Sequence, residues 1–280
     1  MKYYTPLRYP GGKGKLSFHL KDIIKLNRFY DKNYIEPFAG GAGVALELLL
    51  EEYVRTIHIN DIDIAVYSFW YSVLHDTDKL CSMIFDTDIN METWYKQKAI
   101  LNSKADVSNI ELAFATFFLN RTNRSGILNA GVIGGYSQSG KWKLDARFNK
   151  KDLLNRIEKI ANQKDRIKLT SMDSVELIKS FDEKYCNESF VYLDPPYYVK
   201  GQGLYRNFYT HKDHINIRDT LLSSKLKNWV ISYDAAQEIK NIYSNFRTIT
   251  YSLRYSAQNK RNGSEIMIYS PYILIPNMNL

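Results

Sequence analysis

At 280 residues the chain can bury a large core, as one large domain or as a domain carrying a sizeable insert. Hydrophobic residues at 45% and charged residues at 24% exclude a disordered or fibrous chain, and no apolar run is long enough to predict a membrane span. The formal charge of +8 points only weakly to a polyanionic partner. The opening MKYYTPLRYPGGKGK lacks the apolar stretch of a signal peptide, and the two cysteines, Cys81 and Cys186, form no C-x-x-C pair. Together these predict a cytoplasmic protein with free thiols and no structural metal.

In chain order, strand-like runs alternate with helical patterns. Tyr34–Phe38 (YIEPF) precedes a glycine cluster and the helix-like VALELLLEEYV. Thr56–Asn60 (TIHIN) leads through Asp61 into IAVYSFWYSVL, and Arg166–Thr170 (RIKLT) leads through Asp173 into SVELIKSF. Phe190–Leu193 follows, then a polar loop and HINIRDTLLSSKL; Asn228–Tyr233 (NWVISY) precedes AAQEIKNIYSN. The chain closes with FRTITYSLRYS and SEIMIYSPYILI around QNKRNG, which predicts an antiparallel hairpin. Strand–helix alternation predicts an α/β fold with a mostly parallel, doubly wound sheet. Residues 75–165 break the rhythm, with helical patterns (ETWYKQKAILN, ELAFATFFLNR, DLLNRIEKIAN) around a glycine-rich, basic centre at Arg121–Arg147. That stretch predicts an inserted subdomain, 75–165, with 1–74 and 166–280 forming the main domain.

Three constellations carry chemistry. Gly40, Gly41 and Gly43 stand between a strand and a helix, where glycine lets the backbone approach a ligand closely. Asp61 follows the next strand, at the distance where an acid accepts hydrogen bonds from ribose hydroxyls; the alternative is a helix cap shared among Asn60, Asp61 and Asp63. The loop is not G-x-G-x-x-G, so a ribose-bearing cofactor without a pyrophosphate fits it better. Asp194-Pro195-Pro196-Tyr197 ends a buried strand on a rigid corner. Its Asp194 carboxylate and Pro195 carbonyl accept hydrogen bonds, and the Tyr197 ring offers a stacking face. Acceptors beside an aromatic platform suit an exocyclic amino group on a planar base. The pair His211 and His214 in THKDH lacks a third ligand and predicts surface residues at a helix start.

With these residues in order, the chain resembles the Dam-type DNA adenine-N6 methyltransferases, in which the cofactor motif precedes the recognition domain and D-P-P-Y follows it. RYPGGK (Arg8–Lys13) is similar to the family's N-terminal segment, EPFAGGAG to its S-adenosyl-L-methionine loop, and IND to its ribose-binding acid. FLNRTNRSG resembles the start of its DNA-recognition hairpin, MDS occupies the place of its adenosine-ring contact, and DPPY is similar to its catalytic motif. The resemblance implies a Rossmann-like sheet with an inserted, mainly helical recognition subdomain. It also implies methyl transfer from S-adenosyl-L-methionine to N6 of a flipped-out adenine, with double-stranded DNA as partner. A cognate restriction endonuclease is left open, and neither a membrane nor a metal is implied.

Residue by residue, the resemblance implies Asp194, Pro195 and Tyr197 as catalytic. It places Tyr9, Lys13, Phe38, Gly40, Gly41, Gly43, Asp61, Asp173 and Asp194 around the cofactor. In the insert, Arg121, Asn123, Arg124, Lys141, Lys143 and Arg147 are expected to meet DNA, lysines at phosphates and Arg or Asn at base edges. The insert ILNAGVIGGYSQSGKWKLDARFN departs from the GATC-recognising members, so the target sequence stays open. Two other readings also stay open: amino methylation of RNA or of a protein amide, and a catalytically silent DNA-binding subunit.

Overall fold

A computed structural model describes residues 4–8, 14–103, 106–199, 209–254 and 262–277. In chain order its first elements are α1 (Gly14–Asn27), β1 (Asn33–Glu36), α2 (Gly43–Leu50), β2 (Thr56–Asn60) and α3 (Ile64–His75). Next come α4 (Thr77–Asp86), α5 (Met91–Leu101), α6 (Asn109–Thr122), α7 (Lys150–Ala161) and β3 (Ile167–Thr170). The remainder comprises α8 (Ser174–Lys179), α9 (Glu183–Asn187), β4 (Ser189–Leu193), α10 (His211–Ser223), β5 (Trp229–Asp234), α11 (Gln237–Ile242), β6 (Arg247–Arg254) and β7 (Asn262–Tyr269). None of the described helices is long and apolar enough to cross a membrane. The chain divides into two compact units, Gly11–Ile62 with Arg166–Leu280, and Met1–Pro10 with Asp63–Asp165.

The first unit holds a seven-stranded sheet in the order β3-β2-β1-β4-β5-β7-β6. Strands β1 to β5 pair in parallel; β7 runs antiparallel to β5 and carries β6 on its outer side. Strands β4 and β5 are buried along their whole length, which is why SFVYL and WVISYD read as apolar runs rather than alternating ones. Their core joins Ile35, Val191, Leu193, Ile231 and Ile268 to Ile217 and Leu221 of α10. Chain order reverses between β1 and β4, which makes the carboxyl ends of those strands the topological switch point, the place where open α/β sheets hold ligands.

The second unit is helical. Its boundary lies at Asp63 rather than at residue 75, because α3 packs on α6: the Phe69 and Phe117 rings stack at 5.7 Å with an interplanar angle of 7°. Helix α6 begins at a capping box formed by Ser108 and Glu111 and is buried along nearly all of its length. Thr116 and Thr122 tolerate that burial by donating their hydroxyls to the carbonyls of Leu112 and Phe118.

Candidate active site

The loop after β1 is shaped by two acids. Gly40 and Ala42 both take φ of 47°, and Ala42, at the N-cap of α2, has no side chain to cap the helix. Buried Glu36 supplies what Ala42 cannot: its Oε1 accepts the Ala45 N–H at 3.0 Å and the Tyr34 hydroxyl at 3.0 Å. Beside the loop, Asp61 Oδ2 accepts the Gly40 N–H at 2.8 Å. The cap of α3 is Asp63, which accepts from Ala65, so Asp61 is released from that task. Gly41 is buried and Gly43 exposed at the start of α2.

Asp173 lies beyond β3 and is exposed. It caps α8 by accepting from Val175 and Glu176. The half-buried Phe38 ring meets Tyr209 edge-to-face at 5.8 Å, and the Tyr209 hydroxyl shares a hydrogen bond with Ser174 at 3.1 Å. Burial pushes the Tyr209 hydroxyl up to about 12, with Asp173, Asp213 and Asp61 adding to the rise against the Ser174 bond. Phe38, Gly40, Asp61, Asp173 and Tyr209 thus gather at one end of the sheet. Tyr9 and Lys13 lie outside the described residues.

The corner after β4 is held by β5, its neighbour, and by β7 on the far side of β5. Ser232 of β5 donates to Asp194 Oδ1 at 2.9 Å and is itself bonded to the Tyr192 hydroxyl at 2.6 Å. Asp234, two residues on and therefore on the same face of β5, accepts the N–H groups of Tyr198 and Val199, each at 2.9 Å. Pro195 is buried, and Tyr197, only 8% exposed, donates its hydroxyl to Glu265 of β7 at 2.6 Å. The corner is therefore fastened at its acid, at its ring and at its exit. Asp194 and the glycine loop both follow the carboxyl ends of neighbouring parallel strands, β4 and β1.

Residues 9–257 match the family described as D12 class N6 adenine-specific DNA methyltransferase. The chain belongs to that family. Among its relatives is the type II methyltransferase M.MjaIII of Methanocaldococcus jannaschii, 28% identical over 204 residues that cover 68% of this chain and 68% of the relative. Another is the type II methyltransferase M1.LlaDCHI of Lactococcus lactis subsp. cremoris, 23% identical over 253 residues, covering 85% of this chain and 84% of the relative. A solved structure, M. capricolum TrmK in complex with S-adenosyl-homocysteine, matches with a TM-score of 0.38 and 11% identity, covering 93% of this chain and 71% of that one. The last likeness adds nothing to the family assignment, which rests on the match to residues 9–257.

Of the insert residues expected to meet DNA, two are engaged in hydrogen bonds inside the helical unit. Asn123 is wholly buried. Its Oδ1 accepts from Trp94 Nε1 at 2.7 Å, and its Nδ2 donates to the carbonyls of Ile127 and Leu128 at 3.1 and 2.9 Å. An amide so committed braces the turn and has no edge to offer a base. Arg121 is half-buried, its guanidinium donating to the Arg147 carbonyl and to the Pro6 carbonyl. Burial, and then the neighbouring charges of Arg8 and Arg156, lower it to about 9. These bonds tie the N-terminal segment to the insert. Arg124, Lys141, Lys143 and Arg147 are exposed.

Several residues of the site escape a reading of the sequence. Ser232 and Asp234 sit in ISYDA, and Glu265 is an acid inside the apolar run GSEIMIY. A charged residue within a buried strand is itself a signal, since it demands partners. Tyr209 carries no such mark. His214 is corrected as well: it is buried rather than at the surface, bonded through Nδ1 to the Tyr233 hydroxyl at 3.0 Å, and burial lowers it to about 4. No cluster of metal-binding side chains occurs among the described residues.

Proposed function

We propose that this chain transfers the methyl group of S-adenosyl-L-methionine to N6 of an adenine turned out of double-stranded DNA, at sites chosen by the helical unit. The observation that carries this reading is the Asp194 corner, pinned by Ser232 and set at the end of the strand that pairs with the one before the Gly40 loop. The residues present fit the cofactor. Asp61 and Asp173 are acceptors for hydroxyl and amino groups, Phe38 and Tyr209 form an apolar wall, and the Gly40 turn admits close backbone approach. When bound, the sulfonium centre supplies an electrophilic methyl group.

The protein's share of the chemistry is orientation and electrostatics. An aromatic amine is a poor nucleophile because its lone pair is delocalised into the ring. Hydrogen bonds from its two protons to Asp194 and the Pro195 carbonyl favour a pyramidal nitrogen and direct the lone pair at the methyl group. The Tyr197 ring holds the plane of the base outside the duplex. Sequencing of modified bases in DNA from cells that express the chain tests the proposal, with N6-methyladenine at one recurring short sequence as the expected result. DNA without that mark, from cells holding folded protein, overturns it. The type II methyltransferases among the relatives extend the proposal to a restriction–modification system, with an endonuclease of the same specificity as a partner.

Two expected results follow from the assignments. Asp61→Ala weakens S-adenosyl-L-methionine binding by about 1.5–3 kcal/mol, the loss of hydrogen bonds to a charged acceptor. Calorimetry at a temperature where the variant is folded checks this, and unchanged affinity removes Asp61 from the site. In the insert, Lys141 and Lys143 meet phosphates on this proposal. Replacing both with alanine weakens all DNA alike and lowers the salt slope by about 0.9 per lost contact. Arg124→Ala instead costs about 1–3 kcal/mol on the preferred site only. Binding to a small panel of duplexes at several salt concentrations separates the two behaviours; identical preferences and slopes in all variants would move recognition elsewhere.

A further inference from the structure

Glu265 occupies the middle of β7 with 0% of its surface exposed. An acid in such a place costs several kcal/mol of lost hydration unless its oxygens are bonded, and the buried Ile266 and Met267 that follow it show what the strand otherwise holds. Both oxygens are bonded by tyrosines. Oε1 accepts the Tyr197 hydroxyl at 2.6 Å and Oε2 accepts the Tyr251 hydroxyl at 2.8 Å. The register explains the arrangement: Asp234 of β5, Glu265 of β7 and Tyr251 of β6 are cross-strand partners in one row. Side chains in such a row share a face of the sheet. Asp234 takes the backbone of Tyr198 and Val199 while Glu265 takes the ring of Tyr197, so one row of the sheet grips successive residues of the corner. Tyr197 holds its proton throughout, because burial and then the negative charges of Asp194 and Glu265 place its hydroxyl well above the ordinary range.

We infer that Glu265 is a positioning residue for methyl transfer: bonded to the Tyr197 hydroxyl, and steadied from its other oxygen by Tyr251, it sets the position and depth of the ring that receives the target base. The inference rests on the reading of Asp194–Tyr197 as the catalytic corner. The Tyr197 Oη lies on the axis about which the ring spins, so a bond there fixes χ1 and the depth of the ring, and orients its plane only through the preference of a phenol O–H to lie in that plane. Without that bond the ring keeps its stacking surface but loses its fixed position and depth, and the amino group loses its alignment with Asp194. The hydroxyl of Tyr197 therefore has a role of its own, so Tyr197→Phe is impaired although it keeps the stacking face.

The test is kinetic and spectroscopic. Glu265→Gln keeps the size of the side chain and one acceptor oxygen while removing the charge. Its expected kcat is about 10–100-fold below wild type, the equivalent of one hydrogen bond to a charged group. KM for DNA and the affinity for S-adenosyl-L-methionine stay within about threefold, a split that mere loosening of the fold would not give. Tyr197→Phe falls by a similar factor, and the double variant is no slower than the worse single one, because the two changes remove one interaction. Independently of turnover, protein labelled with 13C at the tyrosine Cζ gives a signal assigned to Tyr197 by its absence in Tyr197→Phe; it shifts in Glu265→Gln.

Wild-type kcat in Glu265→Gln, additive losses in the double variant, or an unmoved Tyr197 signal would each overturn the inference. If Glu265→Gln melts below the assay temperature, a folded Tyr197→Phe with wild-type kcat overturns it instead. Wild-type protein that methylates no DNA overturns the parent reading, while the labelled spectra still decide whether Glu265 sets Tyr197.

Discussion

Asp194→Ala lowers single-turnover methyl transfer by about three orders of magnitude while leaving binding of DNA within about threefold. The carboxylate lies at the end of β4 and is half-buried, so its removal opens no core cavity and the variant melts close to wild type. What it removes is an acceptor whose direction is fixed. Ser232 donates to Oδ1 at 2.9 Å, and the Tyr192 hydroxyl, bonded to Ser232 at 2.6 Å, lies buried behind it. The ordering of the carboxylate is thus built into β5 before any base arrives, which is the condition under which a charged acceptor lowers a barrier without reorganising. Ser232→Ala keeps the acid and loses the direction, and its turnover falls by about tenfold, the worth of one such bond. Single-turnover kinetics with saturating cofactor measure both. An Asp194→Ala protein retaining a tenth of wild-type activity would place the amine's acceptor elsewhere.

The parts of this site that the sequence announces are those whose groups lie next to one another in the chain. The glycine turn, Asp61 and the D-P-P-Y corner each combine a strand end with a local break, and the strand over Thr56–Asn60 has the bounds the pattern predicts. The parallel sheet and its antiparallel close were legible for the same reason, since strand–helix alternation and the final pair of extended runs need no knowledge of contacts. What was not legible is support from a distance. Tyr197 and Glu265 are 68 residues apart, and Ser232 reaches Asp194 across 38. Only the strand order and register join them. The insert holds the same difficulty. Arg121 and Asn123 have the side chains that meet DNA, but such side chains also satisfy buried carbonyls, and here they do. Composition cannot separate the two uses; burial can.

The second large effect belongs to a residue without chemistry of its own. Asn60 ends β2 with 1% exposure, and its amide joins three strand ends. Its Nδ2 donates to the carbonyls of Pro37 and Met172, each at 2.9 Å; its Oδ1 accepts the Thr170 hydroxyl at 2.8 Å and the Met172 N–H at 2.9 Å. The turn after β1 and the turn after β3 are thereby tied to the strand between them, with Asp61 as the next residue. Asn60→Ala leaves the backbone groups of Pro37 and Met172 without those partners, and the expected loss of stability is about 3–5 kcal/mol. Asn60→Asp does not rescue it, because a carboxylate cannot donate to the two carbonyls and adds a buried charge. The effect reaches function through geometry. The carbonyl of Asn60 accepts the Ala39 N–H at 2.9 Å and Asp61 accepts the Gly40 N–H at 2.8 Å, so a displaced β2 end moves the glycine turn with it. Affinity for S-adenosyl-L-methionine, measured on the folded variant at low temperature, falls by about tenfold alongside the lower urea midpoint. A variant that loses stability but keeps full affinity would separate the seam from the cofactor site; an unchanged midpoint would show that these bonds are replaced at no cost, and the account of the strand ends would fail.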